Sequence, residues 1–258
     1  MTPRFKDIGE LLRELQPARP VYCVYPHVYQ HAAKHFVANF PGRVLYAVKA
    51  NNHPLVIKAL SSGGVEHFDC ASAQEIELVH SLLPDATCYF MNPIRIEGDA
   101  SRAREGFGTR HFMVDHISGL APLLDEIDAR QSVIFARMAV SHHSAMVDLS
   151  TKFGAPPDDI PEILERIRGS GAEPALAFNV GTGVTEPEAY TYAMSLAQEV
   201  LKKTPFPVRL LDIGGGFPRP YPGFIVPPLD DFFAAISGFR HELPLSDNSE
   251  IMAEPGRG

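Results

Sequence analysis

Cysteine is scarce in this chain of 258 residues, and the scarcity excludes a disulfide-built fold. Cys23, Cys70 and Cys88 are too few and too oddly numbered for a disulfide framework, and none forms a CxxC pair. A reducing compartment, the cytoplasm, is expected. Positive charge is also short: 23 Lys and Arg against 31 Asp and Glu leave a net charge of −8. That balance argues against a nucleic-acid partner. No run of about 18 apolar residues occurs, so no membrane span is expected. The opening MTPRFKDIGELLREL is charged and amphipathic and lacks the apolar core of a signal peptide. Internal repeats and low-complexity segments are missing as well. What remains is an ordinary globular composition, 45% hydrophobic and 21% charged. The length suits one α/β barrel or two smaller domains.

The stretch that organises the chain is Val44–Asn51, VLYAVKAN. On a strand, alternation puts Leu45, Ala47 and Lys49 on one face and Val44, Tyr46 and Val48 on the other. An isolated lysine of this kind reads as the solvent-reaching residue of an edge strand. An inward-facing one is different, because an unpaired buried ammonium is costly. Its pKa is expected to fall, and a neutral amine is what a carbonyl cofactor needs to form a Schiff base. The rest of the chain favours the second reading.

Residues 7–16 read as a short helix stopped by Pro17 and Pro20, Val21–Tyr25 as a strand, and Val28–Phe40 as a helix. From Arg43 onward, apolar β-forming segments alternate with helical ones. The lysine strand Arg43–Ala50 is followed by His67–Ser72, Cys88–Asn92, His111–Asp115, Ser132–Ala139, Ala175–Val180, Arg209–Ile213 and Glu250–Glu254. Helical patterns such as Pro54–Ser62, Ala73–Leu83, Pro161–Arg168 and Pro187–Lys202 separate them. This alternation predicts a parallel (β/α)8 barrel of the TIM type. The prolines are densest over 205–228, which reads as a long loop across one barrel face.

Active sites of such barrels lie at the C-terminal ends of the strands. Lys49 would end the first strand, Asp69 the second, Arg137 the fifth and Asn179 the sixth. Gly214-Gly215-Gly216 follows the seventh, and Glu254 and Arg257 follow the eighth. Three consecutive glycines let an anion approach the backbone N–H groups, and Arg257 could add a guanidinium to the same anion.

The segments YAVKAN, FDCAS, LSTKFG, VGTG, LLDIGGGFP and AEPGR occur in this order. Together they resemble the ornithine/lysine/arginine/diaminopimelate decarboxylases, pyridoxal-phosphate enzymes of the alanine-racemase-like fold. The resemblance runs from about Val21 to Gly258, and FDCAS is similar to the ornithine and lysine branch. It implies that Lys49 holds pyridoxal 5'-phosphate and that Glu254 pairs with the pyridine nitrogen. It further implies that Gly214, Gly215, Gly216, Arg257 and Thr182 bind the phosphate. Asp69, Glu75 and Arg137 match polar positions around cofactor and lysine. Lys49, Glu254 and Asp69 are thus the expected catalytic residues. The implied reaction is decarboxylation of a basic amino acid, ornithine or lysine ahead of arginine, by a protein that is a homodimer when full length. A non-catalytic pyridoxal-phosphate-binding or regulatory barrel is the alternative. A racemase fits less well, because that branch has arginine rather than a carboxylate at the pyridine nitrogen.

Two departures accompany the resemblance. Asn179 stands where the family places a histidine that stacks on the cofactor. The family also continues past EPGR into a β-domain that is absent here. Residues 1–30 are therefore expected to pair with that missing domain and 31–258 to form the barrel. The eighth strand is expected to expose Ile251 and Ala253 for want of a covering helix. His142-His143, with His111 and His116, match no standard metal-ligand spacing, and no metal is expected. Cys70 follows Asp69 on a strand and should face away from the lumen as a packed thiol. The phenylalanines around 231–239 read as a helix packing face.

Overall fold

Every side chain from Val44 to Val48 is buried, the first four on a strand covered on both faces. The structure, a computed structural model, describes residues 3–257 except 224 and 247. The strand is β1 (Arg43–Ala47). Seven more parallel strands close a barrel with it: β2 (His67–Cys70), β3 (Thr87–Phe90), β4 (His111–Val114), β5 (Val133–Met138), β7 (Glu173–Phe178), β9 (Leu210–Asp212) and β10 (Glu250–Ala253). Closure is made where β1 pairs with β10, Arg43 opposite Met252. The expected eight strands are all present. A separate two-stranded antiparallel ribbon, β6 (Ala145–Val147) with β8 (Thr182–Val184), was not foreseen.

Alternation sorts the strand side chains into two layers. Leu45, Tyr89, Met91, Met113, Phe135, Ala177, Leu210 and Met252 fill the lumen. Val44, Tyr46, Phe68, Cys70, Leu211 and Ile251 face the surrounding helices instead. Cys70 therefore points outward, as its place after Asp69 required. At the N-terminal end the lumen is plugged by polar contacts. Arg43 pairs with Glu250 at 2.5 Å and donates to the Tyr89 hydroxyl at 2.6 Å, while His111 stacks on Tyr89 with centroids 4.0 Å apart. Burial and the nearby Arg43 push the His111 imidazole down to about 3, so it stays neutral.

The outer layer corrects three expectations. Ile251 and Ala253 are fully buried, not exposed. They belong to the outer hydrophobic cluster, to which α2 (Pro26–Asn39), a helix that precedes the barrel, contributes Ala33 and Phe36. Its Phe36 and the following Phe40 pack edge-on against Phe233 of α9 (Leu229–Arg240), and Arg240 donates to the Pro41 carbonyl. Second, the expected division at residue 30 falls inside α2, which is part of the barrel wall. Third, Val21–Tyr25 carries no regular structure, because no strand among the described residues pairs with it. The preceding helix α1 (Ile8–Leu15) is capped by Asp7, which accepts from the Glu10 N–H. It leaves Ile8 and Leu12 more than half exposed. The phenylalanines of α9 do form a packing face, with Phe232 and Phe233 buried.

Candidate active site

At the C-terminal ends of the strands lies a cavity of about 550 Å³, within the ordinary range for small-molecule sites. Lys49, Asn179, Thr182, Gly215, Gly216, Glu254 and Arg257 all line it. Residues from the first strand, the ribbon and the last two strands thus meet at one rim. Asp69, Arg137 and Gly214 stand behind this lining rather than in it.

Lys49 is not on the strand itself. It sits in the 3-10 turn Val48–Ala50 that follows β1, where its side chain is half-exposed to the cavity. Its Nζ lies 2.5 Å from Oδ2 of Asp69, which is fully buried on β2. The expectation of a lowered pKa is corrected by this pair. Burial acts to lower the ammonium, but the Asp69 and Glu254 carboxylates together outweigh it and hold Lys49 above the usual lysine range. Without a bound partner, the lysine is charged.

Glu254 directly follows β10, and its N–H donates to the Gly214 carbonyl at 2.8 Å. Its carboxyl is buried, and Oε1 has no hydrogen-bond partner among the described residues. Burial, Asp212 and Asp69 push it well above the ordinary carboxylate range. Asp212, buried at the end of β9, is pushed up to about 7 by burial, although its Oδ1 accepts from the Gly214 N–H at 2.8 Å. Two adjoining carboxyls out of water cannot both ionise freely.

The glycine loop after β9 is held tightly. Gly214 and Gly216 have φ of +71° and +98°, where a side chain would be strained, and a Cβ at Gly216 would lie 2.6 Å from the Gly181 carbonyl oxygen. The buried Tyr190 hydroxyl donates to the Gly215 carbonyl at 2.8 Å. Among the described residues the Gly215 and Gly216 N–H groups donate to no protein acceptor. Close-approach backbone with spare N–H groups, beside Arg257, is what an anionic group requires.

Other expected residues serve differently. Glu75 accepts from the Ala71 N–H at 2.7 Å while its own N–H donates to Oγ of Ser72, the N-cap of the helix α4 (Ala73–Leu82), so it braces that helix start. Arg137 lies on β5 with its guanidinium 4.9 Å from the Phe153 ring centroid. Asn179 Oδ1 accepts from the Gly181 N–H at 2.9 Å, fixing the amide beside the cavity. Thr182 reaches the rim from the ribbon. Asp212 and Tyr190 were missed by sequence reasoning. Alternation alone could have found Asp212, two positions after the lumen-facing Leu210.

The residues present fit pyridoxal phosphate. An amine, a dry unpartnered carboxyl oxygen and a free-N–H glycine loop face one cavity, matching the aldehyde, pyridine and phosphate of that molecule.

Comparison with known proteins agrees with this chemistry. The family described as pyridoxal-dependent decarboxylase, pyridoxal binding domain, matches residues 27–258, and the chain belongs to it. Its cofactor is pyridoxal phosphate. A lysine/ornithine decarboxylase of Selenomonas ruminantium is 30% identical over 83% of the chain and 54% of its own length. An antizyme inhibitor 2 of Xenopus laevis is 33% identical over 82% of the chain and 46% of its own length. The lysine/ornithine decarboxylase of Vibrio vulnificus, solved with putrescine, superposes with a TM-score of 0.83 at 27% identity, covering 97% of this chain and 66% of that one. The chain spans about half the length of the curated relatives it matches.

Proposed function

We propose that this barrel holds pyridoxal phosphate through Lys49. We propose further that the protein carrying it decarboxylates a basic amino acid, ornithine or lysine ahead of arginine, to an amine and carbon dioxide. The observation that carries the reading is the shared cavity of Lys49, Glu254 and the Gly215-Gly216 backbone. When bound, pyridoxal phosphate supplies an electron sink for the pair released from the Cα–carboxylate bond.

The protein's own residues do the rest. Lys49 holds the cofactor covalently, and Asp69 orients its Nζ and is placed to take the proton that Nζ gives up. Glu254, buried with Oε1 unpaired among the described residues, would hold a proton on the pyridine nitrogen in a water-poor environment. The glycine N–H groups and Arg257 would bind the phosphate, with Thr182 beside them, and the Asn179 amide would stand beside the ring. Arg137 adds positive charge near Lys49 and Glu254. Putrescine in the Vibrio vulnificus structure, the diamine that ornithine would yield, supports the choice of substrate class.

A homodimeric, cytoplasmic protein of polyamine synthesis belongs to the same reading. The free cysteines accord with a reducing location. The exposed Ile8, Leu12 and Tyr22, the last 97% exposed, accord with a further domain packing on residues 1–30.

A second reading, a non-catalytic regulatory barrel, is favoured by Asn179, whose amide cannot supply an imidazolium, and by similarity to an antizyme inhibitor. One assay separates the two. The full gene product, loaded with pyridoxal phosphate, is incubated with ornithine, lysine and arginine in turn. The first reading expects release of putrescine or cadaverine with stoichiometric carbon dioxide. Cofactor-loaded protein that forms no amine from any of the three would leave the regulatory reading.

A further inference from the structure

The pair His142-His143 remains unused by this chemistry, and the fold gives it a third partner. The pair follows β5 and leads into β6, while Glu186 leaves β8. Because β6 and β8 are antiparallel, with Ala145 opposite Val184, these residues meet at one end of the ribbon. Glu186 Oε2 lies 3.2 Å from His143 Nε2, and the two imidazoles stand 4.3 Å apart. One ligand atom from each of the three residues falls within 4.8 Å of the others. His111 and His116 take no part.

We propose that His142, His143 and Glu186 form a site for a divalent transition-metal ion of the zinc type. Two imidazoles and a carboxylate are a zinc donor set. Bonds of about 2.0–2.2 Å in a tetrahedron put ligand atoms about 3.4 Å apart, so small rotations of these solvent-facing side chains suffice. Imidazole ligands favour zinc, cobalt, nickel or copper over magnesium or calcium.

The surroundings orient the donors. Ser144 occupies His142 Nδ1 with its Oγ at 2.8 Å and its donating N–H at 3.3 Å, so Nε2 is the nitrogen left to an ion, which would displace its proton. The Tyr192 ring, 5.6 Å away, flanks the same imidazole. The backbone beneath is tied by the Thr185 N–H donating to the Ser144 carbonyl at 3.3 Å. An ion here would staple the ribbon at the end away from Val147 and Thr182. Met146, Thr182 and Gly183 of that ribbon line the cavity, so the staple would stiffen one wall of the cofactor site.

The bland alternative is an exposed His143–Glu186 ion pair and nothing more, and titration distinguishes them. The purified chain, stripped with chelator and free of pyridoxal phosphate, is titrated with zinc chloride by calorimetry and heated with and without zinc. Expected are one zinc per chain, a higher melting temperature with zinc and no such rise with magnesium. His142→Ala, His143→Ala and Glu186→Gln should each weaken binding at least tenfold. Cobalt should give visible bands without the intense thiolate charge-transfer absorption that Cys23 would produce. The proposal is overturned by absence of saturable binding, by equal stabilisation with magnesium, by affinity unchanged in all three variants, or by a thiolate spectrum.

Discussion

Glu254→Gln, introduced into the full-length protein, should lower kcat by one to two orders of magnitude while leaving the coloured cofactor complex intact. The substitution is nearly isosteric, so the buried site can accept it. What it removes is the negative charge that would keep a proton on the pyridine nitrogen. Hydrogen bonds to charged groups are worth about 1.5–3 kcal/mol, which corresponds to about 10- to 150-fold in rate if felt mainly in the transition state. Cofactor retention depends instead on Lys49, the glycine N–H groups and Arg257, which the change leaves alone. Absorbance spectra and steady-state kinetics of the two proteins check this, with kcat falling and KM little altered. Equal turnover would remove the electron-sink role from Glu254.

Asp212→Asn should stabilise the cofactor-free chain by about 2–4 kcal/mol at pH 8 and leave it nearly unchanged at pH 4. In the unfolded chain Asp212 loses its proton near pH 4. In the folded protein burial holds it to about 7. Between these values the folded state binds more protons than the unfolded one, so stability falls as pH rises. The contribution is fully present below the unfolded pKa and is lost through pH 7. Asparagine has no proton to give up, and its Oδ1 can still accept from the Gly214 N–H. Removing this charge also relieves Glu254, whose carboxyl Asp212 helps push up. Denaturant midpoints across pH 4–8 should therefore slope downward for the wild type and flatten for the variant. Parallel curves would mean that burial does not raise Asp212 in the folded protein.

Much of this architecture was legible in the chain, for reasons that differ by element. The eight strands are short apolar runs broken by turns and helices, and burial on both faces of a parallel sheet keeps that signal strong. Period-two alternation correctly turned Leu45 inward and Cys70 outward, and it set Asp69 at the rim end of the second strand. The same logic reached Glu254 and the glycine loop because each directly follows a strand.

What was not legible depends on contacts between distant residues. Val21–Tyr25 is rich in β-formers, yet a strand needs a partner and none is paired with it here. Ile251 and Ala253 were expected to be exposed for want of a following helix, but the outer cluster that buries them draws on α2 and α9, which precede the last strand. The Lys49 ammonium was expected to be neutral from burial alone, whereas Asp69 and Glu254 reverse the sign. The β6–β8 ribbon consists of two three-residue strands far apart in sequence, too short for any periodicity. Glu186 could not be joined to His142 and His143 without it.

The central claim is that pyridoxal phosphate is held at Lys49, and borohydride tests it most directly. The protein is mixed with stoichiometric pyridoxal phosphate, its visible absorbance band is recorded, and the complex is reduced and digested for peptide mapping. The account predicts one adduct per chain, on Lys49, and loss of both band and adduct in Lys49→Ala. An adduct scattered over surface lysines such as Lys202 and Lys203, with Lys49 unmodified, would contradict it.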